Sequence, residues 1–279
     1  MPAPDVLTER SARVVSFAKL HRSAGRRKAG AFLAEGANAV ESALATRRAA
    51  VLLATDDALY RYPDLIASAA DGGVEVVRIS DGAAGKLAET ITSAGLFVVC
   101  DLLDVSMTSV LQSAPQLLAV PVEMTDPGNA GTLIRTADAM GADAVILAGD
   151  SVDPHNGKCV RSTAGSVFHI PIARERDTDE VLSALSAAGV AICATAGDGE
   201  LSLPDAAEVL SGPTAWLFGN EAHGLSPEVL ARADHRISIP IHGRAESLNL
   251  AAAAAICLYA SADARSRVDY PRTGSKPTH

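Results

Sequence analysis

Apolar positions along this chain follow two successive rhythms. Over residues 8–20 they recur at Val14, Val15, Phe17 and Ala18, the spacing of a helix with one buried face. The pattern then predicts a strand at 31–34, a helix at 37–46, a strand at 49–54, a helix at 63–70, a strand at 74–79, a capped helix at 81–90 and a strand at 96–100. Strands alternating with helices at this spacing predict a small α/β sandwich. Residues 101–115 have mixed character and read as a linker.

The alternation restarts with longer apolar strands at 116–122, 144–148, 168–172, 190–195, 214–218 and 236–239. Runs that are apolar at nearly every position are buried on both faces, so a mainly parallel sheet covered by helices is expected. A last helix over 247–263 contains five consecutive alanines, whose small side chains either let another element approach closely or simply reflect helix propensity and composition. The sequence thus divides into an N-terminal domain at 1–105, a second domain at 116–264 and a tail at 265–279 expected to be disordered. A length of 279 residues fits two domains of roughly 100 to 150 residues each.

Composition narrows the class. Hydrophobic residues make up 48% and charged residues 20%, enough for a packed core and unlike a disordered chain. No apolar run approaches the roughly 18 residues that span a bilayer, and the first five residues carry no secretory pattern, so the cytoplasm is the default expectation. Cys100, Cys159, Cys193 and Cys257 lie far apart with no C-x-x-C pair, and only Cys159 has a near histidine, His155. They read as reduced packing residues, with no metal site and no disulfide framework.

Charge is uneven. Residues 1–30 hold Arg10, Arg13, Lys19, Arg22, Arg26, Arg27 and Lys28 against Asp5 and Glu9, a local +5 that leaves −14 on the rest of a chain totalling −9. A basic end on an acidic body suits contact with a polyanion, because neutralising phosphates releases counterions; a solvated amphipathic helix explains the charge alone equally well.

Parallel sheets bind ligands at the carboxyl ends of their strands, and three loops there are unusual. The first is Thr125-Asp126-Pro127-Gly128-Asn129-Ala130-Gly131, entering a helix expected at 132–140 with Arg135 about one turn in. An arginine near a helix start is a phosphate station or a surface ion-pair residue. The second is Phe218-Gly219-Asn220-Glu221-Ala222-His223-Gly224-Leu225, followed by Ser226 as a cap and Pro227 at the first helical position. His223 reads as an acid or base or as an incidental polar group. The third, Ile239 through Ser247-Leu248-Asn249-Leu250, enters the last helix with Ser247 placed to cap it and Asn249 in the first turn.

Taken together and in this order, the three segments resemble the three motifs of the SpoU/TrmH branch of the SPOUT RNA 2′-O-ribose methyltransferases. Asn129, a five-residue gap and Arg135 match motif one, Gly219 to Glu221 match motif two, and Ser247 to Asn249 match motif three. Ala222 stands where the family often has glycine. The first hundred residues are similar to the substrate-binding domain that often precedes this catalytic domain, through the segments Phe32 to Gly36, Val40 to Leu44, Ile79 to Asp81 and Lys86 to Thr90.

The resemblance implies a trefoil-knotted, mainly parallel sheet with helices on both faces, S-adenosylmethionine as cofactor, and a homodimer. It implies catalytic roles for Asn129, Arg135, Glu221, Ser247 and Asn249, and cofactor contacts from Thr195, Leu217, Gly219, Ile239 and Leu248. RNA contacts fall to Arg22, Arg26, Arg27, Lys28 and Arg135, with ribosomal RNA as the expected substrate. Transfer RNA is the alternative substrate, and a non-catalytic RNA-binding ribosome accessory protein is the alternative function. A nicotinamide-dependent enzyme is disfavoured, since no G-x-G-x-x-G follows a first strand.

Overall fold

Two sheets form from these apolar runs. The computed structural model describes residues 6–220 and 222–269. In chain order the first elements are α1 (Ala12–Ala18), α2 (Ser23–Ala29), β1 (Ala31–Glu35), α3 (Ala37–Ala45), β2 (Ala49–Ala54), α4 (Asp56–Arg61), α5 (Pro63–Asp71), β3 (Glu75–Arg78), α6 (Asp81–Leu87) and β4 (Leu96–Asp101). They build a four-stranded sheet in the order β1-β4-β2-β3, with β4 antiparallel to β1 and β2, and β2 parallel to β3. Its core includes Val14, Leu20, Leu33, Leu53, Val77 and Phe97. α4 is absent from the sequence-based expectation, yet it has a local signal: the Thr55 hydroxyl accepts the Ala58 amide at 3.2 Å, capping a first turn that begins with two aspartates.

The remaining elements are β5 (Asp104–Val105), α7 (Met107–Gln112), β6 (Leu117–Pro121), α8 (Pro127–Ala139), β7 (Ala144–Ala148), α9 (Gly157–Thr163), β8 (Ile172–Glu175), α10 (Thr178–Ala187), β9 (Ala191–Thr195), β10 (Leu201–Ser202), α11 (Ala207–Leu210), β11 (Thr214–Phe218), α12 (Pro227–Leu230), β12 (His235–Ser238) and α13 (Leu250–Asp269). The second sheet has eight strands in the order β10-β12-β9-β11-β6-β7-β8-β5, and every pairing from β10 to β8 is parallel. β6, β7 and β11 are buried at every position, as their unbroken apolar character requires. Alternate residues face opposite ways: Ala215 and Leu217 join a core with Val181, Leu182 and Leu185 of α10, while Trp216 donates its indole N–H to Ser261 of α13 at 2.8 Å.

The chain divides into two compact units that do not follow it linearly. One comprises the described residues up to Asp104 with Asp126–Arg135 and Val152–Pro171; the other comprises Val105–Thr125, Thr136–Ser151 and the described residues from Ile172 onward. A division read along the sequence does not anticipate those two excursions.

Four local expectations are corrected. The stretch 101–115 is not a bare linker: it holds β5 and α7, the latter capped by the Ser106 hydroxyl on the Ser109 amide. The apolar run at 168–172 is not one strand. A 3-10 turn over Ser166–Phe168 buries Phe168 against Phe32, ring centroids 5.9 Å apart, and the strand begins only at Ile172, after Pro171. The last helix continues to Asp269, beyond the 265 at which the tail was expected to start; residues 270–279 lie outside the described residues. α8 starts at Pro127 rather than 132, because Asp126 accepts the Asn129 amide at 2.8 Å and proline is preorganised for the first turn.

All four cysteines are free and buried. Burial pushes the thiols of Cys100, Cys159 and Cys193 up to about 12, so they remain protonated packing groups at neutral pH.

Candidate active site at the carboxyl edge of the parallel sheet

The adjacent strands β12, β9 and β11 deliver their carboxyl ends side by side, with Thr195 of β9 in register with Ile237 of β12 and Ala194 with Leu217 of β11. Thr195 donates its hydroxyl to the Leu217 carbonyl at 3.0 Å, tying two strand ends together. The Leu217 side chain is fully buried in the core, which leaves its backbone as the part facing the strand end. Ile239 is half-buried just past β12, and Leu248 is 38% exposed.

Gly219 follows β11 directly at this edge. Asn220 and Gly224 exchange backbone hydrogen bonds at 3.0 and 2.8 Å, closing a narrow loop directly after β11. A β-carbon on Gly219 would stand 2.2 Å from the Gly224 carbonyl carbon and 2.4 Å from the Leu225 nitrogen. Those neighbours are backbone and cannot swing aside. Gly219→Ala is expected to destabilise the protein by about 1 to 3 kcal/mol, the usual scale of overpacking. Thermal denaturation checks this; a wild-type melting temperature in the alanine variant would show that the loop has room to spare. Glu221 lies outside the described residues, and His223 is exposed.

The motif-one helix is built separately. Asp126 caps α8 through one carboxylate oxygen and receives Lys158 Nζ on the other at 2.9 Å. The Asn129 amide and the lysine together hold the Asp126 carboxyl below its ordinary range. Asn129 therefore sits in the first turn of a helix and not in a loop, and Arg135 lies about two turns in, not one. Arg135 is exposed, on the same side as Thr132. Gly131 is buried where a β-carbon would stand 2.4 Å from the Cys159 carbonyl oxygen, so glycine lets α8 meet α9 at backbone distance. Lys158 escaped the sequence reading because its partner is 32 positions away. The Asp126-Pro127 pair was a legible start signal.

Motif three also shifts. The carboxamide oxygen of Asn249, not the Ser247 hydroxyl, caps α13 by accepting the amides of Ala251 and Ala252 at 3.0 and 3.3 Å. Asparagine ranks with serine as a cap, and the helix begins at Leu250, one residue beyond it. Ser247 is exposed two residues upstream.

Of the five basic residues assigned to RNA, Arg22, Arg27, Lys28 and Arg135 are exposed. Arg26 is not: it is 3% exposed, places Nε and Nη2 on Asp153 Oδ2 at 2.9 and 2.6 Å, and donates Nη1 to the carbonyls of Leu20 and His21. Four of its five N–H donors are used internally and the side chain is buried, so it is withdrawn from the RNA-contacting set. Beside it, His155 accepts the Leu103 amide at Nε2, with Nδ1 3.4 Å from Asp153 Oδ1. No cluster of three or more His, Cys, Asp or Glu suited to a metal occurs among the described residues.

Fold and edge loops together define a SPOUT-class methyltransferase with a separate small α/β unit ahead of it. Residues 116–259 match the SpoU rRNA Methylase family and residues 11–98 match the MRM3-like substrate binding domain, and the chain belongs to the SpoU rRNA methylase family. It is 35% identical over 88% of its length, and 94% of the relative's, to the Bacillus subtilis 23S rRNA (guanosine(2553)-2′-O)-methyltransferase RlmP. Among solved structures, an AdoMet-bound rRNA methyltransferase from Sinorhizobium meliloti aligns over 95% of this chain and 98% of its own, with a TM-score of 0.79 and 29% identity. The SpoU methyltransferase AviRb from Streptomyces viridochromogenes in complex with AdoMet aligns over 93% of this chain and 100% of its own, with a TM-score of 0.79 and 28% identity.

Proposed function

We propose that this protein is an S-adenosylmethionine-dependent RNA 2′-O-ribose methyltransferase acting on ribosomal RNA. The observation that carries the reading is similarity over 88% of the chain to a 23S rRNA 2′-O-methyltransferase, together with the three motifs in family order. Three adjacent strand ends, with the apolar Ile239 just past one of them, fit a flat adenosyl group with few polar edges. Thr195, Leu217, Gly219, Ile239 and Leu248 hold the cofactor, largely through backbone. When bound, S-adenosylmethionine supplies a methyl group for in-line displacement by the ribose 2′-oxygen.

Arginine stays protonated at neutral pH and is a poor base, so Arg135 clamps an RNA phosphate, positions the ribose and stabilises developing negative charge. The hydroxyl proton passes to an RNA phosphate or to water. Asn129 orients the motif-one turn or the ribose, and Glu221 orders the arginine region. Ser247 and Asn249 hold the third loop, Asn249 by capping α13. Incubating the protein with methyl-labelled cofactor and either unmodified ribosomal or transfer RNA tests the reading: ribose methylation confined to ribosomal RNA is expected. Transfer to tRNA alone would reassign the substrate, and RNA binding with no cofactor binding would favour the accessory-protein alternative.

RNA is held by the exposed Arg22, Arg27 and Lys28. Replacing these three with alanine is expected to weaken binding and to lower the slope of log affinity against log salt by about two to three units, one for each phosphate no longer neutralised. Cofactor affinity stays unchanged. An unaltered salt slope would make the cluster a solvated face. The active form is a cytoplasmic homodimer joined partly through α13, whose Ile256 and Tyr259 are 39% and 60% exposed beside a hollow of about 440 Å³ that includes Leu203, Pro204 and Ile239.

A further inference from the structure

Asn220 carries none of the roles proposed above, yet its carboxamide is engaged at both ends. Nδ2 donates to the Glu123 carbonyl at 2.8 Å, and Oδ1 accepts the Ala222 amide at 2.8 Å. Its backbone closes the loop after β11 by pairing with Gly224. Glu123 stands two residues past β6, the strand beside β11, and has a left-handed φ of 53°. That conformation is uncommon for a residue with a side chain and persists only where the surroundings hold it. Its amide donates to the Ala148 carbonyl at 3.0 Å, and Asn220 takes its own carbonyl. From Glu123 only two residues intervene before Asp126, the cap of α8.

We propose that Asn220 is a positioning residue for methyl transfer, clamping the exit of β6 to the motif-two loop and so setting the starting point of the segment that leads into the motif-one helix. The inference rests on the methyltransferase reading above, since methyl transfer is the activity the clamp serves. The chemistry requires a carboxamide. One end must donate to a carbonyl and the other must accept from an amide, which at neutral pH no other side chain of this length does. Ionised aspartate keeps the acceptor but sets a negative charge against the Glu123 carbonyl, and alanine keeps neither end.

Asn220→Ala and Asn220→Asp are compared with wild type by single-turnover methyl transfer to unmodified ribosomal RNA, by cofactor titration and by thermal denaturation. A displacement near 1 Å at a reacting group costs on the order of 10²-fold in rate, and a loss of that size is expected for both variants at neutral pH. Cofactor affinity is expected to stay within about twofold. Lowering the pH toward about 5 protonates part of the aspartate, restores a donor, and raises the rate of Asn220→Asp relative to Asn220→Ala. Altered folding alone does not produce that divergence. Rates within twofold of wild type in both variants, or parallel pH profiles for the two, would overturn the clamp and leave the methyltransferase reading standing. A wild-type protein that transfers no methyl group to RNA would overturn that reading and the clamp with it.

Discussion

Arg135→Ala is expected to abolish most methyl transfer while leaving the fold and the cofactor affinity intact. The side chain is exposed on α8, so its removal opens no cavity, and stability should change by no more than about 0.5 kcal/mol. The rate should fall on the order of 10²- to 10³-fold, the usual loss when a preorganised charge is taken from a transition state. Lysine is expected to restore little, because a point charge replaces a planar fork that grips a phosphate with two parallel bonds. Single-turnover assays with saturating cofactor decide the matter. A variant that transfers at the wild-type rate would remove Arg135 from the mechanism and return it to the status of a surface residue.

Arg26→Ala is expected to unfold the N-terminal unit at a much lower temperature, although Arg26 belongs to the same basic segment as the residues proposed to hold RNA. Its guanidinium makes four hydrogen bonds, two of them to Asp153, whose side chain is 12% exposed. Breaking a buried pair by removing one partner costs about 3 to 5 kcal/mol, because the other charge is left without compensation. The pH dependence has a definite sign. Burial alone would raise the Asp153 pKa, but His155 and the Arg26 guanidinium outweigh it and hold the carboxyl well below its ordinary range. A depressed carboxyl stabilises the fold above its unfolded value of about 3.9 and loses that contribution as pH falls through the folded value. The gap between wild type and Arg26→Ala should therefore be full at neutral pH and narrow below about pH 4. Thermal denaturation across that range measures it. A variant with the wild-type melting temperature and weakened RNA binding would restore Arg26 to the RNA-contacting set.

Much of the fold was legible because the information is local. β2, β7 and β11 coincide with the apolar runs at 49–54, 144–148 and 214–218, since an uninterrupted apolar stretch bounded by polar residues has few places to go but a buried strand. The Ser226 and Pro227 pair starts α12 as its chemistry dictates. Motif residues at fixed spacing carried the family assignment, and that too is a property of the linear chain. Even the early start of α8 was written in Asp126 and Pro127.

What the tertiary structure decided depends on partners distant in sequence. Four basic residues within one short segment look alike until Asp153, 127 positions away, removes Arg26 from the surface. Phe168 and its neighbours read as a strand until Phe32 gives their apolar surface a different burial. Asn220 is an unremarked position inside a motif until the Glu123 carbonyl, 97 residues earlier, meets its carboxamide. The physical reason is the same in each case. Propensity, capping and apolar runs act over one or two turns of chain and can be read along it. The cost of leaving a buried charge or polar atom unpaired is settled only by whichever group the fold brings within hydrogen-bonding distance.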